Sequence, residues 1–141
     1  FGKPYVVASL PELLLEAKPL SGVGLAKYLS TKMSHYSVYD PFRAIVIALA
    51  VSRAHSDDPW LALQVAVNQW DVGQNGAPSR FADVDCYASI TGSLLGAFCG
   101  SCSLPVAQVE EVLISNRQIY NIDLQITADR FIDLVLELFS E

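Results

Sequence analysis

Two aspartates stand one residue apart at the start of an apolar segment, where residues 82–87 read Ala-Asp-Val-Asp-Cys-Tyr. Carboxylates with this spacing, at a junction between a loop and a helix, can turn towards a common point. Oxygen ligands of this kind are the ones that Mg²⁺ and Ca²⁺ prefer. The pattern is therefore compatible with a hard-cation site at Asp83 and Asp85, to which other segments must add ligands because two acids are too few to hold the ion.

A structural interpretation of the same two aspartates stays open at this point. Aspartate is a favoured N-cap residue, and acidic side chains in the first turn of a helix complement the positive end of the helix dipole. On spacing alone, a helix cap at Asp83 and Asp85 is the favoured interpretation and a cation site is the alternative.

The segment after the aspartates has small residues at regular intervals. Gly92, Gly96 and Gly100 recur every four residues, and further small residues widen the same face: Ser89, Ser93 and Ala97. This spacing predicts a helix over 84–99 that another helix approaches closely. Because each glycine costs about 1 kcal/mol of helix propensity relative to alanine, we expect the helix to be buried at the centre of the protein.

The three cysteines, Cys86, Cys99 and Cys102, form an odd set within one short region. A disulfide framework is therefore not expected, and the sequence favours a reducing, cytoplasmic compartment. Cys99 and Cys102 have the CxxC spacing, and a zinc site would need two more ligands, such as Cys86 with His35 or His55. Small buried thiols packed at the end of a helix are the favoured interpretation.

Hydrophobic periodicity is helical along most of the chain, and proline after aspartate marks two helix starts, at Asp40-Pro41 and Asp58-Pro59. Ser9 with Glu12 forms a capping-box pattern. We predict an all-α fold, a multi-helix orthogonal bundle forming a single domain over residues 1–141. The predicted helices span about 9–18, 22–33, 41–54, 59–70, 84–99, 105–115 and 127–139.

The segments between these helices carry weaker signals. Residues 70–83, rich in glycine, asparagine and proline, are predicted to form one long functional loop that leads into the aspartates. Short alternating patterns at 36–39 and 118–126 are weak strand signals without an obvious partner. A start at Thr127-Ala128-Asp129 is predicted for the last helix.

Composition narrows the classes of partner. Hydrophobic residues make up 52% of the chain and charged residues 17%, with a mean hydropathy of +0.33, so we expect a partner to cover apolar surface that a small domain does not bury. The longest apolar stretches are shorter than the roughly 20 residues of a membrane-spanning helix. The net charge of −6 and the absence of a basic cluster argue against nucleic acid as a partner. No targeting signal is visible at the start of the chain. Because the chain begins with Phe1 rather than methionine, we expect a processed chain or part of a longer protein.

Three segments in order, PFRAIVIALAVSRAHSDDPWLALQVAVN, DVDCYASITGSLLGAFCG and LPVAQVEEVL, resemble the C-terminal part of the ADP-ribosylglycohydrolase family, which includes the dinitrogenase-reductase-activating glycohydrolases. The resemblance covers residues 41–115. Members of that family are all-helical hydrolases that use two Mg²⁺ ions to release ADP-ribose from modified side chains. The resemblance implies that Asp83 and Asp85 are metal ligands and that the substrate carries an ADP-ribosyl group.

The chain departs from the family pattern at several positions. Cys86 stands where the family has threonine or serine, Phe81 and Ala82 replace two glycines, and extra residues separate Asn68 from the aspartates. The N-terminal metal motifs of the family have no counterpart here, since Asp57-Asp58 precedes a proline and is typical of a helix start. Two hypotheses follow: a hydrolase whose dinuclear Mg²⁺ site is completed by an absent N-terminal segment, or a catalytically degenerate relative that acts as a protein-interaction or structural subunit.

Overall fold

The computed structural model describes residues 10–73, 75–100 and 103–140. These residues form seven helices and one two-stranded antiparallel sheet. In chain order the elements are α1 Leu10–Ala17, α2 Gly22–Lys32, α3 Pro41–Ala54, α4 Pro59–Val67, β1 Trp70–Val72, β2 Pro78–Phe81, α5 Val84–Cys99, α6 Val106–Tyr120 and α7 Leu124–Leu138. The mostly helical structure confirms the predicted all-α class. The orthogonal packing of the helices and the resemblance to a specific fold stay predictions.

The chain divides into two units, with the division between Ser103 and Leu104. The first unit contains α1 to α5 and the hairpin of β1 and β2, and the second contains α6 and α7. Each unit is described by itself below. The single domain predicted over residues 1–141 is not tested by this division and stays a prediction.

Helix α3 lies at the centre of the first unit, where it packs against α1, α4 and α5. It begins at Pro41 because the Asp40 side chain accepts a hydrogen bond from the Phe42 amide at 2.9 Å. Apolar residues surround the helix on several sides, as expected of a buried helix. The core around it includes Leu25, Leu29, Ile47, Val51, Ala66 and Tyr87.

Helix α4 begins where the sequence predicts and ends earlier. The Asp58 carboxylate accepts a hydrogen bond from the Leu61 amide at 3.0 Å, and Pro59 occupies the first turn. The predicted end near residue 70 is wrong, because the helix stops at Val67 and the chain then enters β1. The capping box predicted at Ser9 lies outside the described residues.

The segment predicted as one long loop is instead built around a β-hairpin. Trp70 pairs with Phe81 and Asp71 with Arg80, and the register shifts before Val72 pairs with Pro78. Gly76, with φ of 77°, lies in the turn, where a left-handed backbone favours glycine. The hairpin returns the chain to the end of α4 before α5 begins.

The second unit is a pair of helices whose boundaries differ from prediction. Helix α6 continues to Tyr120 and α7 begins at Leu124, so the predicted boundaries at 115 and 127 are wrong, as is the strand signal over 118–126. Asn121 ends α6 in the left-handed conformation, with φ of 53°. The Asp123 carboxylate caps α7 by accepting from the amides of Gln125 and Ile126 at 3.1 and 3.2 Å.

Residues 36–39, the other weak strand signal, do not form a strand either, and lie in the connection between α2 and α3. In the part of the chain that the structure describes, every helix is too short or too polar to cross a lipid bilayer.

Candidate functional site

The two predicted aspartates meet at the first turn of α5. Asp83 is the N-cap residue, Asp85 lies in the first turn, and the Cys86 thiol joins them. Their potential ligand atoms all lie within 4.8 Å of one another. We call these three residues the acidic helix mouth. Asp83 is half-buried, whereas Asp85 and Cys86 are exposed, so solvent and a ligand can reach the cluster.

The capping interpretation of Asp83 lacks its hydrogen bond. The side chains of Asp40, Asp58 and Asp123 each accept a hydrogen bond from a backbone amide at the start of their helices. The Asp83 side chain accepts no such hydrogen bond. The helix dipole still favours negative charge at this position. The geometry thus leaves the Asp83 carboxylate free of the structural task that its position in the sequence suggests.

The neighbours of the Cys86 thiol disfavour its thiolate form. A hydrogen bond with Asp83, then desolvation, and then the charges of Asp83 and Asp85 raise the pKa of the thiol. A protonated thiol does not ligate a metal, and Mg²⁺ prefers oxygen to sulfur in any case. Cys86 therefore belongs to the mouth as a hydrogen-bonding neighbour of Asp83, and the two carboxylates are the groups suited to Mg²⁺.

One Mg²⁺ ion fits this donor set, since Mg²⁺ in proteins is often held by one or two carboxylates and keeps several waters. Two ions do not fit it. In the described ranges, the acidic helix mouth is the one group of three or more histidine, cysteine or acidic side chains with ligand atoms in reach of each other. A second ion would need ligands from elsewhere.

The hairpin fixes where the mouth begins. The Ala82 amide, one residue before Asp83, donates to the Gln69 backbone carbonyl at 3.1 Å. The Gln69 side chain is buried, where it accepts from the Ser30 hydroxyl at 3.0 Å and donates to the Val65 carbonyl at 3.0 Å. Gln69 therefore ties the residue before Asp83 to both α2 and α4.

Tyr87 anchors the mouth from the helix side. Its ring is fully buried, and its hydroxyl donates to the Val38 carbonyl at 2.8 Å. Burial raises the pKa of Tyr87 to about 12, with the charge of Arg43 acting in the opposite direction. The hydroxyl thus stays a hydrogen-bond donor at neutral pH and fixes the first turn of α5 to the segment before α3.

The prediction that α5 packs closely against another helix through its small-residue face is wrong. Tyr87, Thr91 and Leu95 form the buried face of α5, which packs against α3 and α4. The small face is largely open: Ser89, Ser93, Gly96 and Ala97 are exposed, and the Phe98 ring beside them is 80% exposed. Alanine-rich α3 and α4 already supply the close packing, so the glycines of α5 are not used for it.

The remaining candidate ligands do not join the mouth. Cys99 donates its thiol to the Ser56 carbonyl at 3.3 Å, and Cys102 lies outside the described residues. His35 is exposed and His55 is buried, and neither joins Cys86 in a cluster of ligand atoms in the described part of the chain. The zinc alternative built on Cys86 and a histidine is therefore not supported.

Sequence reasoning missed the buried polar residues that support the site. Arg43, Ser30 and Gln69 are fully buried, and the signal for Arg43 was its place directly before the apolar run AIVIALAV. A charged residue that begins a buried helix must find partners, and these partners lie far away in sequence.

Comparisons with protein families, with curated proteins and with solved structures find no match to this chain. The resemblance to the ADP-ribosylglycohydrolases consequently depends on the motifs in residues 41–115.

Proposed function

We propose that the chain is part of an ADP-ribosylglycohydrolase-like hydrolase in which the acidic helix mouth supplies two carboxylates to a Mg²⁺ site. The observation that carries this proposal is the convergence of Asp83 and Asp85 on one point, with Asp83 making no cap hydrogen bond. The sequence resemblance assigns metal binding to the same two positions.

Electrostatics supports a cation at the mouth. Two carboxylates this close repel each other, and the positive end of the helix dipole attracts negative charge to the same position. Among the ion pairs formed by the described residues, none involves Asp83 or Asp85. A bound divalent cation would therefore supply positive charge that the neighbouring lysines and arginines do not provide.

In the proposed hydrolase, Mg²⁺ bound here would supply Lewis acidity and a fixed point for the ribose hydroxyls and the attacking water. Asp83 and Asp85 would hold the ion, and the hairpin and the buried Tyr87 keep the two carboxylates in place. The remaining ligands, including those for a second ion, and the catalytic acid come from a segment outside these 141 residues or from a partner chain. The substrate class is an ADP-ribosyl linkage.

A second candidate function is that of a catalytically degenerate subunit that binds another protein. The observation in its favour is the open small-residue face of α5 in the first unit, with Phe98 exposed beside it. The second unit adds exposed apolar side chains along α7: Ile126, Phe131, Ile132, Leu134, Leu136 and Leu138. Apolar surface of this extent is typical of interaction sites.

Titration calorimetry of Mg²⁺ into the full-length gene product separates the two candidates. The hydrolase proposal predicts saturable binding that an Asp83→Asn, Asp85→Asn double variant loses. Asp57→Asn is the matched control, because Asp57 is an exposed acid that also stands next to a helix start. Saturable binding should be followed by Mg²⁺-dependent release of ADP-ribose from a modified peptide. The absence of binding, together with a stable protein partner, would favour the degenerate subunit.

A further inference from the structure

Arg43 is a cation with no exposed surface, located in the first turn of α3. Its guanidinium donates to the Tyr36 carbonyl at 3.1 Å and to the Trp70 carbonyl at 2.9 Å. The Asp71 carboxylate lies 3.7 Å from it and provides the opposite charge. Burying a guanidinium costs several kcal/mol unless such partners are present, so these contacts offset the cost of burying Arg43.

The partners of Arg43 belong to two segments that are separate in sequence. Tyr36 lies before α3, and Trp70 begins β1. Trp70 is held at both of its backbone groups, because its amide donates to the Ser30 hydroxyl at 3.2 Å. The backbone carbonyl of the preceding residue, Gln69, accepts a hydrogen bond from the Ala82 amide. The chain is thereby fixed next to the point where it enters the acidic helix mouth.

The other segment that Arg43 holds also supports the mouth. The Tyr87 hydroxyl donates to the Val38 carbonyl, two residues after Tyr36. One guanidinium therefore joins β1, whose partner strand β2 leads into Asp83, to the segment that anchors the first turn of α5. A lysine ammonium carries its three donors on one nitrogen and does not reproduce this planar fork.

We infer that Arg43 is a positioning residue for the acidic helix mouth: through Trp70 and Tyr36 it fixes the hairpin and the first turn of α5 relative to each other. The effect on backbone order follows from the hydrogen bonds alone. Its effect on cation affinity rests, in addition, on the proposed function.

The test is amide hydrogen exchange by NMR on the 141-residue chain carrying Arg43→Lys, a variant that keeps the charge and removes the fork. The exchange of the Ala82 amide is expected to accelerate about tenfold or more, which corresponds to about 1.4 kcal/mol of opening free energy. Amides inside α1, which packs against α2 and α3, should keep their protection. Arg53→Lys is the matched control, because Arg53 is on the same helix and exposed.

A second variant covers the case in which Arg43→Lys fails to fold. Ser30→Ala removes the hydroxyl that holds the Trp70 amide and leaves the buried charge intact, and it should increase exchange at the same residues by a smaller factor. Unchanged exchange at Ala82, or an equal increase in all helices of the first unit, would overturn the positioning role.

Mg²⁺ titration of the full-length Arg43→Lys variant, beside the full-length wild type, then addresses the site itself. Affinity that falls at least severalfold supports positioning of the carboxylates, and unchanged affinity overturns that part of the inference. If the wild type binds no Mg²⁺, the proposed function fails, whereas the exchange data still decide the role of Arg43.

Discussion

Replacing Gly96 with alanine should stabilise the chain, because the structure leaves room for the new methyl group. Among the described residues, a Cβ placed on Gly96 would meet no atom within 4 Å beyond its own stretch of helix, and one on Gly92 would lie 3.5 Å from the Leu63 Cδ2 atom, an ordinary van der Waals contact. Alanine is favoured over glycine in a helix by about 1 kcal/mol. We therefore expect Gly96→Ala to raise the free energy of unfolding by about 1 kcal/mol.

Urea unfolding followed by tryptophan fluorescence measures this change in the appropriate unit, since Trp60 and Trp70 both lie in the first unit. With a urea dependence of about 2 kcal/mol per molar, the midpoint should rise by about 0.5 M. Gly24→Ala in α2 is the matched control, because a Cβ there also meets nothing within 4 Å. A lower midpoint for Gly96→Ala, with Gly24→Ala stabilising, would refute the open face of α5.

Three further predictions concern the core and the mouth. Tyr87→Phe leaves the buried Val38 carbonyl without its donor and should cost about 1–2 kcal/mol in urea unfolding; a change near zero would contradict that bond. Asp83 raises the pKa of the Cys86 thiol, so Asp83→Asn should lower this pKa and increase the thiolate fraction at pH 8. Alkylation of Cys86 by iodoacetamide, followed by peptide mass spectrometry, should then be faster. An unchanged rate would show that Asp83 does not interact with the thiol. Leu29→Ala should cost about 2–5 kcal/mol because Leu29 is fully buried, and a cost below 1 kcal/mol would show that the core is loosely packed there.

The helices that sequence reasoning predicted well are those with chemical start signals. Asp40-Pro41 and Asp58-Pro59 each combine a side-chain acceptor with a residue that lacks an amide hydrogen, and the helices begin there. The hairpin was missed because its strands are only three and four residues long and β2 begins with proline. The end of α6 was missed because no glycine marks it, and Asn121 adopts the left-handed conformation instead.

The candidate site was predictable only in part. Asp83 and Asp85 are neighbours in sequence, so their convergence follows from local helix geometry. The contacts that support them are not local: Arg43 reaches Trp70 across 27 residues, and Ser30 reaches Gln69 across 39. Pairs of that kind depend on how α2, α3 and the hairpin pack, which hydrophobic periodicity does not specify.

The proposal that the acidic helix mouth binds a divalent cation is tested most directly by adding Mn²⁺, which accepts the same oxygen ligands as Mg²⁺, to the ¹⁵N-labelled full-length gene product. The account predicts paramagnetic broadening centred on the amides of residues 83–87, lost in the Asp83→Asn, Asp85→Asn variant and kept in Asp57→Asn. Broadening that is absent from these amides, or that persists unchanged in the double variant, would contradict it.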